Sequence, residues 1–206
     1  MSGWTKHSGQ AVALPYHNID TDQLIPSRFM STPRSEGYGR FLLHDLRRDD
    51  KGSEHPQFPL NRHKDTSIVI AGRNFGSGSS REAAVYALVD AGVRAVFAPS
   101  FGDIFAGNAV NNGLLPARIA EDDFELLLRA LEDRSRPAHV CLDAGHLSID
   151  DRTTRFHIDP GWRTKLIKGW DDIDLTLQHS DAIGHHKQKL DSTAPWVRPE
   201  TGPTGS

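Results

Sequence analysis

Apolar residues in this chain fall into short runs broken by glycine and proline, with helical spacing only between some of them. The run GQAVAL (9–14) reads as a strand that Pro15 ends. TSIVIA (66–71) is richer in β-branched residues and reads as a buried strand. After the glycine-rich stretch GRNFGSGSSRE (72–82), Ala84, Val85, Ala87, Leu88 and Ala91 recur at helical spacing, with Gly92 placed to end the helix. VRAVFA (93–98) is a further strand. Strand, helix and strand over about thirty residues predict a right-handed βαβ unit with parallel strands.

A second helix is expected after Ser100, with Asp103 as its capping partner, Ile104 and Phe105 facing the core, and Asn112-Gly113 as its stop. Leu114, Leu115 and Pro116 begin another extended piece. Phe124, Leu127, Leu128 and Leu131 mark a third, amphipathic helix. Short strands are expected near 139–142 and 155–158. Between 27 and 62 periodicity fades into a long irregular excursion, the kind of segment that in a compact domain is a functional loop or disorder. The Pro-, Gly- and Thr-rich tail over 193–206 reads as disordered, leaving one domain over 1–192.

Composition narrows the function. Lys and Arg total 24 against 27 Asp and Glu in 206 residues, a net charge of −3, which offers no basic field for nucleic acid. Nine Phe, three Tyr and four Trp argue against disorder throughout. One cysteine, Cys141, excludes an internal disulfide and any metal site built on this chain's thiolates alone. No apolar stretch approaches the ~20 residues of a membrane helix, and the start shows no secretory signal, so a cytoplasmic location is expected.

The richest chemistry lies in the strand-to-helix turn at 72–82. Gly72, Gly76 and Gly78 let the backbone approach a ligand, the helix start presents unpaired N–H groups, and Arg81 supplies a fork suited to a carboxylate or phosphate. Ser79 and Glu82 have capping-box spacing, so the plainest role for Ser79 is to cap the helix. The dinucleotide fingerprint fails at Arg81, and a Walker A loop fails at Ser77 and Gly78. Asp20 and Asp22 read as an Asx-type turn, His185 and His186 as solvated, and Cys141 as a small buried apolar residue. No histidine pattern matches a metal site.

The segments NIDTDQLIP (18–26), GRNFGSGSSRE (72–82), APSFGDIFAGNAVNNGLLP (98–116) and LTLQHSDAI (175–183), in that order, resemble the small subunit of 3-isopropylmalate dehydratase, a branch of the aconitase superfamily. The resemblance implies an α/β fold, a swivelling β/β/α domain with a parallel βαβ core and flanking strands. It implies a large-subunit partner carrying a [4Fe–4S] cluster, no cofactor held by this chain, and a small dicarboxylate substrate. The reaction implied is dehydration of 2-isopropylmalate to isopropylmaleate and rehydration to 3-isopropylmalate. Carried onto this sequence, the resemblance makes Ser79 the base and has Ser80 and Arg81 bind substrate carboxylate, with Gly78 in the binding turn. It places Arg28 and Arg34 in a substrate-binding loop from Arg28 to Tyr38 that contacts the substrate side chain, Arg34 matching a further carboxylate-binding arginine. The iron would act as Lewis acid, so neither half should turn over alone. Ser77 stands where the family commonly has Cys, and Ala83 where it commonly has His. Two other readings share these features: the small subunit of a related citraconate or methylmalate hydro-lyase, and a stand-alone anion-binding module.

Overall fold

The computed structural model describes residues 2–132, 134–194 and 196, and divides the chain into two compact units, one up to Trp170 and one from Asp171 onward. This division falls inside the single domain expected over 1–192. In the first unit the strands β1 (Lys6–Leu14), β2 (Thr66–Ala71), β3 (Ala95–Ala98), β4 (Leu115–Arg118), β5 (Arg136–Cys141), β6 (His146–Ile149) and β7 (Arg152–Arg155) form one sheet in the order β4-β3-β2-β1-β5-β6-β7. The β4-β3-β2-β1 half is parallel and the β1-β5-β6-β7 half antiparallel.

β1 joins the two halves, and its burial follows from that position. Its first residues alternate between exposed and half-buried, whereas Ala11 to Leu14, beside parallel β2, are buried throughout. Arg118, the last residue of β4, and His157, two residues past β7, exchange backbone hydrogen bonds at 2.9 and 2.7 Å, so the sheet curls until its ends meet. Phe97 and Phe156 pack edge to face across that interior, 5.4 Å between centroids.

The helices are α1 (Thr21–Leu24), α2 (His44–Arg47), α3 (Pro59–Arg62), α4 (Glu82–Asp90), α5 (Asp103–Asn111), α6 (Glu121–Leu131) and α7 (Pro160–Lys168) in this unit, then α8 (Asp172–Leu177) and α9 (Ser180–Thr193) in the second. Because strand side chains alternate, each parallel strand feeds two cores. Val12, Leu14, Val69, Ala71, Val96 and Ala98 pack with α4 and α5, and Ala11, Ile68, Ile70 and Phe97 with Phe124, Leu127 and Leu131 of α6.

The sequence-expected strands and the three central helices are present, within a few residues of their expected bounds. The excursion over 27–62 is ordered by three single 3₁₀ turns, α2 and α3, and by buried Tyr38, Leu42, Leu43, Phe58 and Leu60. Two expectations for α5 are corrected. Asp103 is its first residue and caps nothing, Gly102 being the N-cap. Ile104 is 56% exposed while Phe105 is buried, because the face of α5 turned to the core is taken by Phe105, Ala106 and Ala109.

In the second unit, Asp171 caps α8 with a full capping box closed by Asp174. His185 and His186 on α9 are exposed, as read from sequence. Of the expected disordered tail, Thr193 ends α9, and 195 and 197–206 lie outside the described residues. Among the described residues no helix is long and apolar enough to cross a membrane.

Phe124 is 1% exposed in the second core. Phe124→Ala is therefore expected to cost about 3–5 kcal/mol of stability, read as a lower urea midpoint at unchanged slope.

Candidate active site

The glycine-rich stretch follows β2 and continues its direction between two neighbouring chain segments. On one side the Gly76 N–H donates to the Ile19 carbonyl at 2.7 Å and the Thr21 N–H to the Ser77 carbonyl at 2.9 Å. On the other the Phe75 N–H donates to the Ser100 carbonyl at 3.0 Å and the Gly102 N–H to the Phe75 carbonyl at 2.9 Å. The stretch is thus held on both edges as a strand would be, beyond the carboxyl ends of β1, β2 and β3. That end of a parallel sheet is where α/β proteins bind ligands.

Side chains lock the same frame. Thr21, buried, donates its hydroxyl to the Ser79 carbonyl at 2.9 Å, and the Ser100 hydroxyl accepts from the Asn74 N–H at 2.8 Å. Asn18 and Asn74, both at positive φ, are joined by a side-chain hydrogen bond of 3.0 Å. Gly76 sits at φ +72, and a Cβ there would overlap the Phe105 ring, so only glycine fits.

The helix start differs from the capping box expected at Ser79 and Glu82. α4 begins at Glu82; its N-cap is Arg81 in extended conformation, and no side chain caps it. Glu82 instead accepts from Asn112 Nδ2 at 2.9 Å. Two consequences follow: the Ser79 hydroxyl is not consumed as a cap, and, with the Ala84 N–H bonded to the Arg81 carbonyl, the Glu82 and Ala83 N–H groups at the head of α4 have no capping side chain. The dipole of this nine-residue helix adds a positive field there.

Ser79 and Ser80 are exposed. Ser77, Gly78 and Ser79 line a hollow of about 230 Å³ with Gly76, Gly102, Asp103, Ile104 and Phe105. Exposed Ile104 gives this hollow an apolar wall, while Asp103, 97% exposed, stands in solvent 3.9 Å from Arg118. The Arg81 side chain, 21% exposed, forms an ion pair with Asp22 of α1. Asp20, read with Asp22 as a turn, is the N-cap of α1, in a capping box with Gln23. Sequence reasoning missed the Asp22–Arg81 pair, although the Asp-x-x-Gln spacing at 20–23 already marked a helix start that would project residue 22 outward.

The other two arginines of the expected site are engaged within the early excursion. Arg28 forms a two-pronged ion pair with Asp45 and lies over the Phe29 ring at 4.5 Å. Arg34 pairs with Asp90 at 2.5 Å and stacks on Tyr86 at 4.3 Å. The Arg28 guanidinium holds the Asp45 carboxyl at about 2, well below the usual carboxylate range. Cys141 is half-buried at the end of β5. Among the described residues no three His, Cys, Asp or Glu side chains gather where they could hold a metal ion.

The first unit thus joins a parallel βαβ core to flanking antiparallel strands and carries a serine–serine–arginine turn at the carboxyl end of its parallel strands. A family model for the aconitase C-terminal domain matches residues 1–122, and one for the C-terminal domain of the 3-isopropylmalate dehydratase small subunit matches 172–200. The 3-isopropylmalate dehydratase small subunit of Shewanella amazonensis is 43% identical over 197 residues, covering 92% of this chain and 98% of the relative. That of Shouchella clausii is 41% identical over 185 residues, covering 89% and 94%. A solved structure of 3-isopropylmalate dehydratase from Methanocaldococcus jannaschii superposes with a TM-score of 0.63 at 26% identity, covering 88% of this chain and 99% of that one. The chain belongs to the 3-isopropylmalate dehydratase small-subunit family.

Two tests address the geometry. Gly76→Ala is expected to lower thermal stability and to move the Phe105 resonances, since both the positive φ and the ring contact must give way. The Asp45 carboxyl has its pKa lowered on folding, so its contribution to stability is present above about pH 4 and fades as pH falls toward 2. Asp45→Asn should flatten that part of the acid-unfolding curve and leave neutral-pH stability lower, an effect kept modest by the pair's exposure.

Proposed function

We propose that this chain is the catalytic small subunit of a two-chain hydro-lyase that converts 2-isopropylmalate to 3-isopropylmalate through isopropylmaleate. The observation that carries the reading is the uncapped start of α4 at Arg81, with the Ser79 hydroxyl unspent at the mouth of a hollow. The names of its relatives support this substrate over citraconate or methylmalate, and over a stand-alone anion-binding module.

In this reading a substrate carboxylate meets Arg81, the Ser80 hydroxyl and the N–H groups at the head of α4, with the backbone at Gly78 close beside it. Ser79 takes the proton from the carbon next to that carboxylate. Negative charge then develops on the carboxylate, where donors fixed by the fold stabilise it without reorganising. A serine is a poor base in water, so the step requires the positive field of Arg81 and the helix, and closure against solvent. The hydroxyl on the neighbouring carbon leaves with a proton as water, giving isopropylmaleate. In rehydration water adds its hydroxyl to the carbon that lost the proton and releases a proton, and Ser79 gives its proton to the carbon that lost the hydroxyl. The hollow of about 230 Å³ suits one end of a small diacid, which fits a site completed by another chain.

The [4Fe–4S] cluster belongs, in this proposal, to the large subunit. This chain's one thiol, Cys141, lies on β5 and cannot supply the several thiolates a cubane needs. Like Arg81, which exchanges Asp22 for the substrate, Arg28 and Arg34 meet substrate by exchanging Asp45 and Asp90 for it, from the loop proposed to contact the substrate side chain. A chain with a single unpaired thiol fits the reducing cytoplasm.

The test is turnover of the complex reconstituted from both subunits. Ser79→Ala is expected to lower kcat by roughly a thousand-fold, and Arg81→Lys by about a hundredfold, with unfolding curves unchanged. Near-normal turnover in both variants would remove the catalytic assignment.

A further inference from the structure

A second hollow, separate from the glycine-rich turn, lies past the C-terminal end of α4. Its volume is about 300 Å³, and it is built from three segments: the chain around 39–48, the stretch from Glu54 to Thr66, and residues 91–93. Its floor is apolar and fully buried at Leu42, Leu60 and Val93. Its rim is cationic. Arg48 and Lys64 share the single carboxylate of Glu54, at 3.1 and 3.5 Å, and Arg40 is matched by Glu36 at 2.8 Å.

Arg47 has no such match. Its Nε donates to Asn61 Oδ1 at 2.8 Å and its Nη1 to the Leu42 carbonyl at 3.2 Å, and among the described residues it forms no ion pair. The guanidinium is half-buried, and burial lowers its pKa. A desolvated cation with donors to spare is the part of such a hollow that an anion relieves. The carbonyls ending α4 oppose this little, because the Ala91, Gly92 and Val93 N–H groups already bond to them.

We propose that this hollow binds a small organic carboxylate, its acid group on Arg47, Arg48 and Lys64 and its short aliphatic body on Leu42, Leu60 and Val93. An inorganic anion would use the rim and leave the apolar floor wet, so the two halves of the hollow together select an acid with a hydrocarbon tail. The site stands whether or not the glycine-rich turn is catalytic.

Calorimetric titration of the full chain with hexanoate, hexanamide and inorganic phosphate tests this, repeated in an Arg81→Ala background to remove the other carboxylate-binding position. Saturable hexanoate binding is expected, unchanged in Arg81→Ala, with hexanamide and phosphate each about tenfold weaker or more, the worth of one charge-assisted bond. Arg47→Gln should weaken hexanoate by a similar factor. Because Arg47 also ties Asn61 to Leu42, two variants that spare those bonds accompany it: Lys64→Glu, which reverses a rim charge, and Ala91→Leu, which fills the hollow. Both should weaken hexanoate severalfold with unfolding curves unchanged. Absence of saturable binding, equal binding of hexanamide or phosphate, loss of binding in Arg81→Ala, or indifference to Lys64→Glu and Ala91→Leu would each overturn the proposal.

Discussion

The glycine-rich turn depends on the backbone hydrogen bonds that clamp residues 75–77 between Ile19–Thr21 and Ser100–Gly102. A turn with glycines at positive φ would ordinarily sample many conformations. Here it is bonded on both edges as if it were still in the sheet, and Thr21 holds the Ser79 carbonyl, so the backbone that carries Ser79 is fixed in place before any ligand arrives. That pre-organisation is what electrostatic stabilisation of a developing carboxylate charge requires. It also explains why three of the four sequence segments that carry the family likeness are far apart in the chain: each is one layer of the same clamp.

The clamp determines where α4 starts. Thr21 holds the Ser79 carbonyl and Asp22 pairs with the Arg81 side chain, and with both ties in place Arg81 is the extended N-cap and the helix starts at Glu82. The cost is an uncapped helix, a loss of about 1 kcal/mol in ordinary cases. The return is a free hydroxyl at Ser79 beside a positive helix end. The Asp22–Arg81 pair also gives the guanidinium a carboxylate partner of the kind the proposed substrate would present.

Much of this was legible in the sequence. The β-branched run at 66–71 and the apolar run at 93–98 encode buried parallel strands, because a strand covered on both faces needs no polar alternation. The amphipathic period at 124–131 encodes α6. The capping box at Ser79–Glu82 misled because spacing records only what a serine can do; a tertiary contact from Thr21 decides what it does. Ile104 misled for a related reason, since a helix has one core face and Phe105 occupies it. β6 and α7 carried too little apolar periodicity to register. The 27–62 excursion was opaque because its buried residues, from Tyr38 to Leu60, are spaced by turns and so share no period.

The central claim is that Ser79 moves the proton at the carbon next to a carboxylate held by Arg81. It is tested most directly by deuterium wash-in from heavy water into 3-isopropylmalate, followed by NMR on the reconstituted two-chain enzyme. The account predicts exchange at that carbon in the wild-type enzyme, and none in Ser79→Ala under conditions where that variant still binds the substrate. Exchange at the wild-type rate in Ser79→Ala would contradict it.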